Sequence, residues 1–256
     1  MAQATYAYPN QQMPNEIYQQ AATSDLGELF AIYKPKYANP LLIIGMALGG
    51  IIVDIVVTII AYMSGWIVFY LYAVPVLILI WAIYTLASCN LRVYVFANGF
   101  INARGRRGEV IRWDQIQSIW EKVTRSSYRQ STLTYTYTVL RNDGKIFKQG
   151  SPLQKSRDMG LSMMREVVKI QLPLVKAAYQ AGQTLAFGPI NVDMQGVNNR
   201  KEMVPWDQIV RLTVSQGAVS VEQRGVQRQW SPVKSAEVPN LSVLMSLVNF
   251  VVQGQK

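Results

Sequence analysis

The chain has 256 residues, half of them hydrophobic, with one cysteine, no histidine and a formal net charge of +10. Without histidine it lacks the commonest general base, the commonest metal ligand and the usual activator of a serine or cysteine nucleophile. A lone Cys89 closes neither an internal disulfide nor a cysteine zinc site, so the composition argues against an enzyme, a cofactor and a metal centre.

Residues 1–24 are rich in Gln, Asn, Ala, Tyr and Pro without apolar periodicity, which predicts a disordered tail and not a signal peptide. Residues 25–39 read as a juxtamembrane segment in which apolar and acidic side chains mix before Lys34, Pro35 and Lys36, and it is expected to pack against a domain or the interface. Residues 40–62 carry only Asp54 as a charge and residues 65–88 carry none, each stretch long enough to cross roughly 30 Å of hydrocarbon at about 1.5 Å per residue. Met63 and Ser64 alone join them, so the reading is a transmembrane helical hairpin with both ends on one side. Tyr62, Trp66, Tyr70 and Tyr72 crowd its tip, and Trp81 and Tyr84 approach the open end, as interfacial aromatic belts do. Lys34, Lys36, Arg92, Arg104, Arg106 and Arg107 flank the open end, and positive charge marks the inner leaflet. The expected location is therefore the plasma membrane, with two spans and both termini cytoplasmic. Cys89, at the end of the second span, is either a small helix-end residue or a palmitoylation position. The charge excess lies beyond it, with 23 basic and 11 acidic side chains in residues 90–256.

From Leu91 the pattern changes to short alternating runs. Leu91 to Phe96 and Phe100 to Ala103 flank an Asn98-Gly99 turn, a strong hairpin signal. Glu109 to Arg112, Ile116 to Val123, Leu133 to Leu140 and Lys145 to Lys148 continue as strands. Helical spacing at Met159, Met163, Val167 and Ile170 then predicts a helix from about Pro152 to Ala181, with Pro173 expected to kink or interrupt it.

One motif occurs twice. Trp113-Asp114-Gln115-Ile116 and Trp206-Asp207-Gln208-Ile209 are identical, each preceded by a hairpin and followed by a Ser-Pro step and an apolar-periodic stretch. The earlier halves are matched as Phe96 to Ile101 with Phe187 to Ile190. The expected architecture is thus a membrane α-helical hairpin plus α+β: two tandem modules, 90–181 and 184–253, each a β-barrel or sandwich closed by a C-terminal helix, the second shorter by about a hairpin.

Strand-rich units with a Trp-Asp-x-Ile corner and a closing helix after a transmembrane hairpin resemble the bacterial pleckstrin-homology-like membrane proteins. The stretch Val95-Phe96-Ala97-Asn98-Gly99-Phe100, with Val110 to Ile116, Ile119-Trp120 and the Leu26-Gly27-Glu28-Leu29 segment, is similar to one bacterial family of this layout that has no assigned activity. The resemblance implies the pleckstrin-homology-like fold and membrane attachment, and no reaction.

The candidate positions follow from residue type. Trp113 and Trp206 are expected to plug the ends of their modules, while Asp114 and Asp207 accept backbone N–H groups at the turn. Arg104, Arg106 and Arg107 in a hairpin loop, with Lys122, Arg125 and Arg129 after a later strand, are candidates for an anionic lipid or phosphate ligand, since each basic residue near an anionic bilayer gains about 1 kcal/mol. The same residues also satisfy the positive-inside pattern without any ligand. Asp54 is the one acid within a span, where a charge costs a few kcal/mol, and is a structural or a transport residue. Gly45 and Gly49 permit close helix packing. Tyr135, Tyr137 and Val139 share one strand face, read as core in preference to a stacking platform for nucleic acid. Function is accordingly read as non-catalytic scaffolding through a protein partner or a homo-oligomer. Anionic lipid binding by the basic loop and an oligomeric channel component built on Asp54 are the alternatives.

Overall fold

The computed structural model describes residues 13–36, 39–63, 70–126, 132–150, 153–225 and 230–254, with the backbone alone at 61–63, 70–73, 125, 126 and 132. Its elements fall into two units, Met1–Val110 with Pro152–Gln154 and Ile111–Ser151 with Lys155–Lys256. The class is α+β: among the described residues there are five α-helices and four separate antiparallel sheets.

The first unit opens with helix α1 (Asn15–Thr23), which puts Ile17 and Ala21, four residues apart, on one face. Both are buried against Leu26, Tyr94, Phe96, Ile101 and Ala103. Strand β1 (Leu29–Tyr33) follows, then helices α2 (Pro40–Met63) and α3 (Tyr70–Cys89), then strands β2 (Leu91–Phe96), β3 (Gly99–Arg104) and β4 (Arg107–Arg112). One sheet takes all four strands in the order β1-β2-β3-β4. β1 therefore pairs with β2 across both helices, Tyr33 opposite Val93 and Leu29 opposite Phe96. Beyond β1, Pro35 bridges to Leu153, and the Gln154 N–H donates to the Lys34 carbonyl at 2.8 Å.

The second unit holds β5 (Ile116–Ser126), β6 (Thr132–Arg141), β7 (Ile146–Gln149) and helix α4 (Ser156–Gln180). These are followed by β8 (Leu185–Phe187), β9 (Ile190–Val192), β10 (Gly196–Asn199), β11 (Met203–Pro205), β12 (Ile209–Ser215), β13 (Ala218–Gln223), β14 (Val233–Lys234) and helix α5 (Leu241–Gly254). Its sheets are β5-β6-β7, β8 to β11 and β12-β13-β14. The outer edge of β5 is closed by side chains. Asn240 accepts from Ile119 N at 2.8 Å through Oδ1 and donates to Gln117 O at 3.0 Å, and its own N–H donates to Ile119 O at 2.8 Å. Gln171 donates to Ile116 O at 2.9 Å. An unpaired strand edge invites foreign strands, and here short polar side chains occupy it.

In chain order the repeat is complete in both copies. Four strands, a 3-10 turn at Trp113–Gln115 or Trp206–Gln208, three strands and a helix recur as β1 to α4 and β8 to α5. This shifts the match made on sequence by one strand. Gly99, opening β3, corresponds to Gly196, opening β10, so Phe96 aligns with Val192 and its turn, not with Phe187. The strand equivalent to β8 is β1, and the helices α2 and α3 stand where the second copy has the short turn at Gly188 and Pro189. The second copy lacks no hairpin; its strands are shorter, seven residues in β12 against 11 in β5.

Four further expectations change. The modules are not closed barrels, because each Trp-Asp-Gln step turns out of the extended conformation and no ladder joins β4 to β5 or β11 to β12 among the described residues. Residues 15–23 of the expected tail are helical, since two apolar side chains at helical spacing suffice when a sheet face receives them, while residues 1–12 lie outside the described set. Of the two outcomes expected at Pro173, interruption does not occur, since α4 runs through it over 25 residues, held beyond it by packing that includes Lys176 Nζ at 3.9 Å from the Phe250 ring centre. Of the two expected spans, Pro40–Ile60, 21 residues, is long and apolar enough to cross a membrane; the described apolar stretch of the other, Val74–Cys89, is shorter.

Candidate functional site

The two-residue turn at Ala97 and Asn98 fixes the register of β2 and β3, pairing Phe96 with Gly99 and Leu91 with Arg104. Arg104 therefore returns to the start of β2, one residue from the end of α3. The turn that follows is tied there: Gly105, at φ +69°, donates its N–H to the Asn90 carbonyl at 3.0 Å. Arg92, Arg104, Arg106 and Arg107 are all exposed around this point. Glu16 on α1 reaches Arg106 at 3.8 Å, an exposed pair of small energetic weight.

Of the six basic candidates, three stand together in the first unit. Arg104, Arg106 and Arg107 share the β3–β4 turn; Lys122 is exposed on β5 in the second unit, the Arg125 side chain is not described, and Arg129 lies outside the described residues. Arg92, read from the sequence as one of the basic residues at the open end but not as a ligand candidate, joins the turn, and so does Asn90. A two-residue turn at Asn98-Gly99, as read from the sequence, would set Leu91 opposite Arg106; the turn lies one residue earlier, at Ala97-Asn98, and brings Arg104 there instead.

The tryptophan corners are structural in their surroundings. Trp113 and Trp206 are 3% and 4% exposed. Trp206 donates Nε1–H to the Asp193 carbonyl at 2.9 Å and meets the Tyr179 ring edge-on, centres 6.1 Å apart. The acids beside them are exposed. Asp114 pairs with Arg112 at 3.2 Å and not with turn N–H groups; its backbone carbonyl, not its carboxylate, takes the Asn142 amide. Asp207 is likewise exposed.

Asp54 is partly exposed on α2, one turn from Gly50, where α2 approaches α3: a Cβ on Gly50 would stand 3.2 Å from Ile78 Cδ1. Gly45 and Gly49 have nothing within 4 Å of where a Cβ would stand, so they are not the close approach. Cys89 is buried and directs its thiol to the Thr85 carbonyl at 3.3 Å, one turn back along α3. The expected belt residues Tyr62, Trp66, Tyr70 and Tyr72 lie outside the described side chains, while Trp81 and Tyr84 are exposed on α3. Among the described residues no three Cys, Asp or Glu side chains converge to hold a metal ion.

Tyr137 is fully buried in β6 and donates to Glu121 Oε1 at 3.0 Å, while Tyr135, two residues before it, has the Arg157 guanidinium 5.6 Å from its ring centre. Burial, and then the neighbouring Glu121 carboxylate, push the Tyr137 phenol well above its ordinary value. The folded phenol keeps its proton where the unfolded one loses it, above about pH 10, so this contribution to stability is complete below that pH and falls by about 1.4 kcal/mol per pH unit above it. Urea midpoints measured from pH 9 to 11.5 should fall less steeply for Tyr137→Phe than for the parent chain; parallel profiles would refute the assignment.

Fold and site together define an internally duplicated α+β protein with a long apolar helix inserted in the first copy's strand order. Over residues 1–256 the chain matches the family described as Family of unknown function (DUF6585), and it belongs to that family. No curated protein matches it.

Proposed function

We propose that the chain is a non-catalytic, membrane-anchored binding protein whose two modules are pleckstrin-homology-like, the first carrying a two-span helical hairpin between its first and second strands. The observation that carries this reading is the position of α2 and α3 between β1 and β2. Neighbouring antiparallel strands begin and end at one edge of the sheet, so both helix ends return to the same side, as a hairpin through a bilayer requires. The helices expose aliphatic surface that water would penalise, Ile52 and Val53 each at 62%. An apolar stretch of this length accounts for that exposure when hydrocarbon is the solvent. The excess of basic side chains beside the open end supports a cytoplasmic location for both termini. The four-plus-three strand order with a closing helix, occurring twice, supports the likeness to bacterial pleckstrin-homology-like membrane proteins, and paired modules of this kind suit recognition of a protein partner or of a second copy.

The test is purification from carbonate-washed native membranes in mild detergent, followed by native mass measurement. The expected result is a chain that stays in the washed membrane and elutes with a stoichiometric protein companion or as a homo-oligomer. A chain stripped by carbonate overturns the anchor; an integral chain eluting as a lone monomer overturns the scaffold.

A further inference from the structure

We propose that the β3–β4 turn is a docking site for the phosphate of an anionic glycerophospholipid in the leaflet where α3 ends, an inference that rests on the membrane anchor above. Depth is set by covalent and hydrogen-bonded geometry. α3 stops at Cys89, Asn90 alone separates it from β2, and the Asn90 carbonyl holds the Gly105 N–H at 3.0 Å. The turn therefore sits beside the helix end, at the level where lipid phosphates lie. Tyr33 pairs with Val93, so Lys34 and Lys36 leave β1 at the same end of the sheet.

The chemistry matches a phosphodiester. Arg104, Arg106 and Arg107 are exposed, the Arg106 side chain at 85%, and Arg92 is exposed on the adjacent strand. A guanidinium presents a planar fork of donors that fits two phosphate oxygens, and it stays charged at any physiological pH. Space is available above the turn, because a side chain at Gly105 would meet nothing within 4 Å. Glu16, 3.8 Å from Arg106, is an exposed and easily displaced partner. Basic residues that only obeyed the positive-inside pattern would need no fixed turn, whereas a backbone hydrogen bond to the residue after α3 holds these three in one place.

The full-length chain is reconstituted in bilayer discs of equal phosphatidylglycerol and phosphatidylcholine, released into mild detergent, and the lipids retained per chain are counted by native mass spectrometry. Phosphatidylglycerol should be preferred, and Arg104→Gln/Arg106→Gln/Arg107→Gln should lower that preference about tenfold or more, given the pull each basic residue exerts near an anionic surface. Arg211→Gln, an exposed arginine paired with Glu222 in β12, should leave it unchanged. An inserted triple variant that keeps the preference overturns the site, as does an inserted parent chain with no preference. Loss of the preference on adding glycerol phosphate to intact discs overturns the lipid source in favour of a soluble phosphate. Failure to insert at all refutes the membrane anchor instead, and is read separately from the lipid count.

Discussion

Placing even a methyl group at residue 160 should destabilise the second unit. Gly160 lies on the buried face of α4, and a Cβ there would land on the ring of Tyr137, at Cζ and Cε2 and beside the hydroxyl. The ring cannot swing away cheaply: it is fully buried, tied to Glu121 at 3.0 Å, and paired through its backbone with β5 and β7. Helix propensity works in the opposite direction, since alanine is better than glycine inside a helix by about 1 kcal/mol. Overpacking at this depth costs typically 1–3 kcal/mol and more when a ring must leave its rotamer, so Gly160→Ala should be destabilising and Gly160→Val should exceed about 3 kcal/mol. Thermal unfolding of the detergent-solubilised chain, followed by tryptophan fluorescence, measures both. The mechanism has its own check: in a Tyr137→Leu background the cost of Gly160→Ala should shrink, because the atoms it strikes are gone. An equal cost in both backgrounds would locate the strain elsewhere.

Trp206→Ala should cost about 3–5 kcal/mol, the range for emptying a buried tryptophan site. The indole is 4% exposed, holds the Asp193 carbonyl at 2.9 Å and receives the Tyr179 edge. Asp193 itself folds the β9–β10 turn, its Oδ1 accepting from Gln195 N at 2.9 Å and Gly196 N at 3.1 Å, so losing the indole loosens the strand that precedes the corner. Trp206→Phe keeps a ring against Tyr179 and loses the hydrogen bond, for a smaller loss of about 1–2 kcal/mol. Asp207→Asn, at an exposed side chain next door, should stay within about 0.5 kcal/mol. If Asp207→Asn proved as damaging as Trp206→Ala, the corner would depend on its acid and the packing account would fail.

Much of the candidate site was legible because it is local. The Asn98-Gly99 signal marks a tight hairpin and so puts Arg104, Arg106 and Arg107 at the far end of its second strand, but the register comes from a turn one residue earlier, at Ala97-Asn98, which sets Leu91 opposite Arg104. The hydrogen bond from Gly105 to Asn90 did not follow, because it depends on how α3 enters the sheet. The repeat was visible in four identical residues, yet its full extent was not. Tyr33-Lys34-Pro35 and Phe187-Gly188-Pro189 end equivalent strands with an aromatic residue followed by x-Pro, a similarity too short to detect when residues 34–90 separate β1 from β2.

The sequence by itself determined the apolar stretches, the basic flank, the duplicated Trp-Asp-Gln corners and the spacing of α4 and α5, because periodicity and charge act over a few residues and need no knowledge of a partner. Only the tertiary structure decided that β1 completes the first sheet, that Ile17 and Ala21 draw residues 15–23 into a helix, that Asn240 closes the edge of β5, and that Gly160 must make room for Tyr137. Each of these joins groups far apart in the chain. A strand's neighbour is chosen by which unpaired N–H and C=O groups and which apolar face it can satisfy once folding brings them together, and no local pattern encodes that choice.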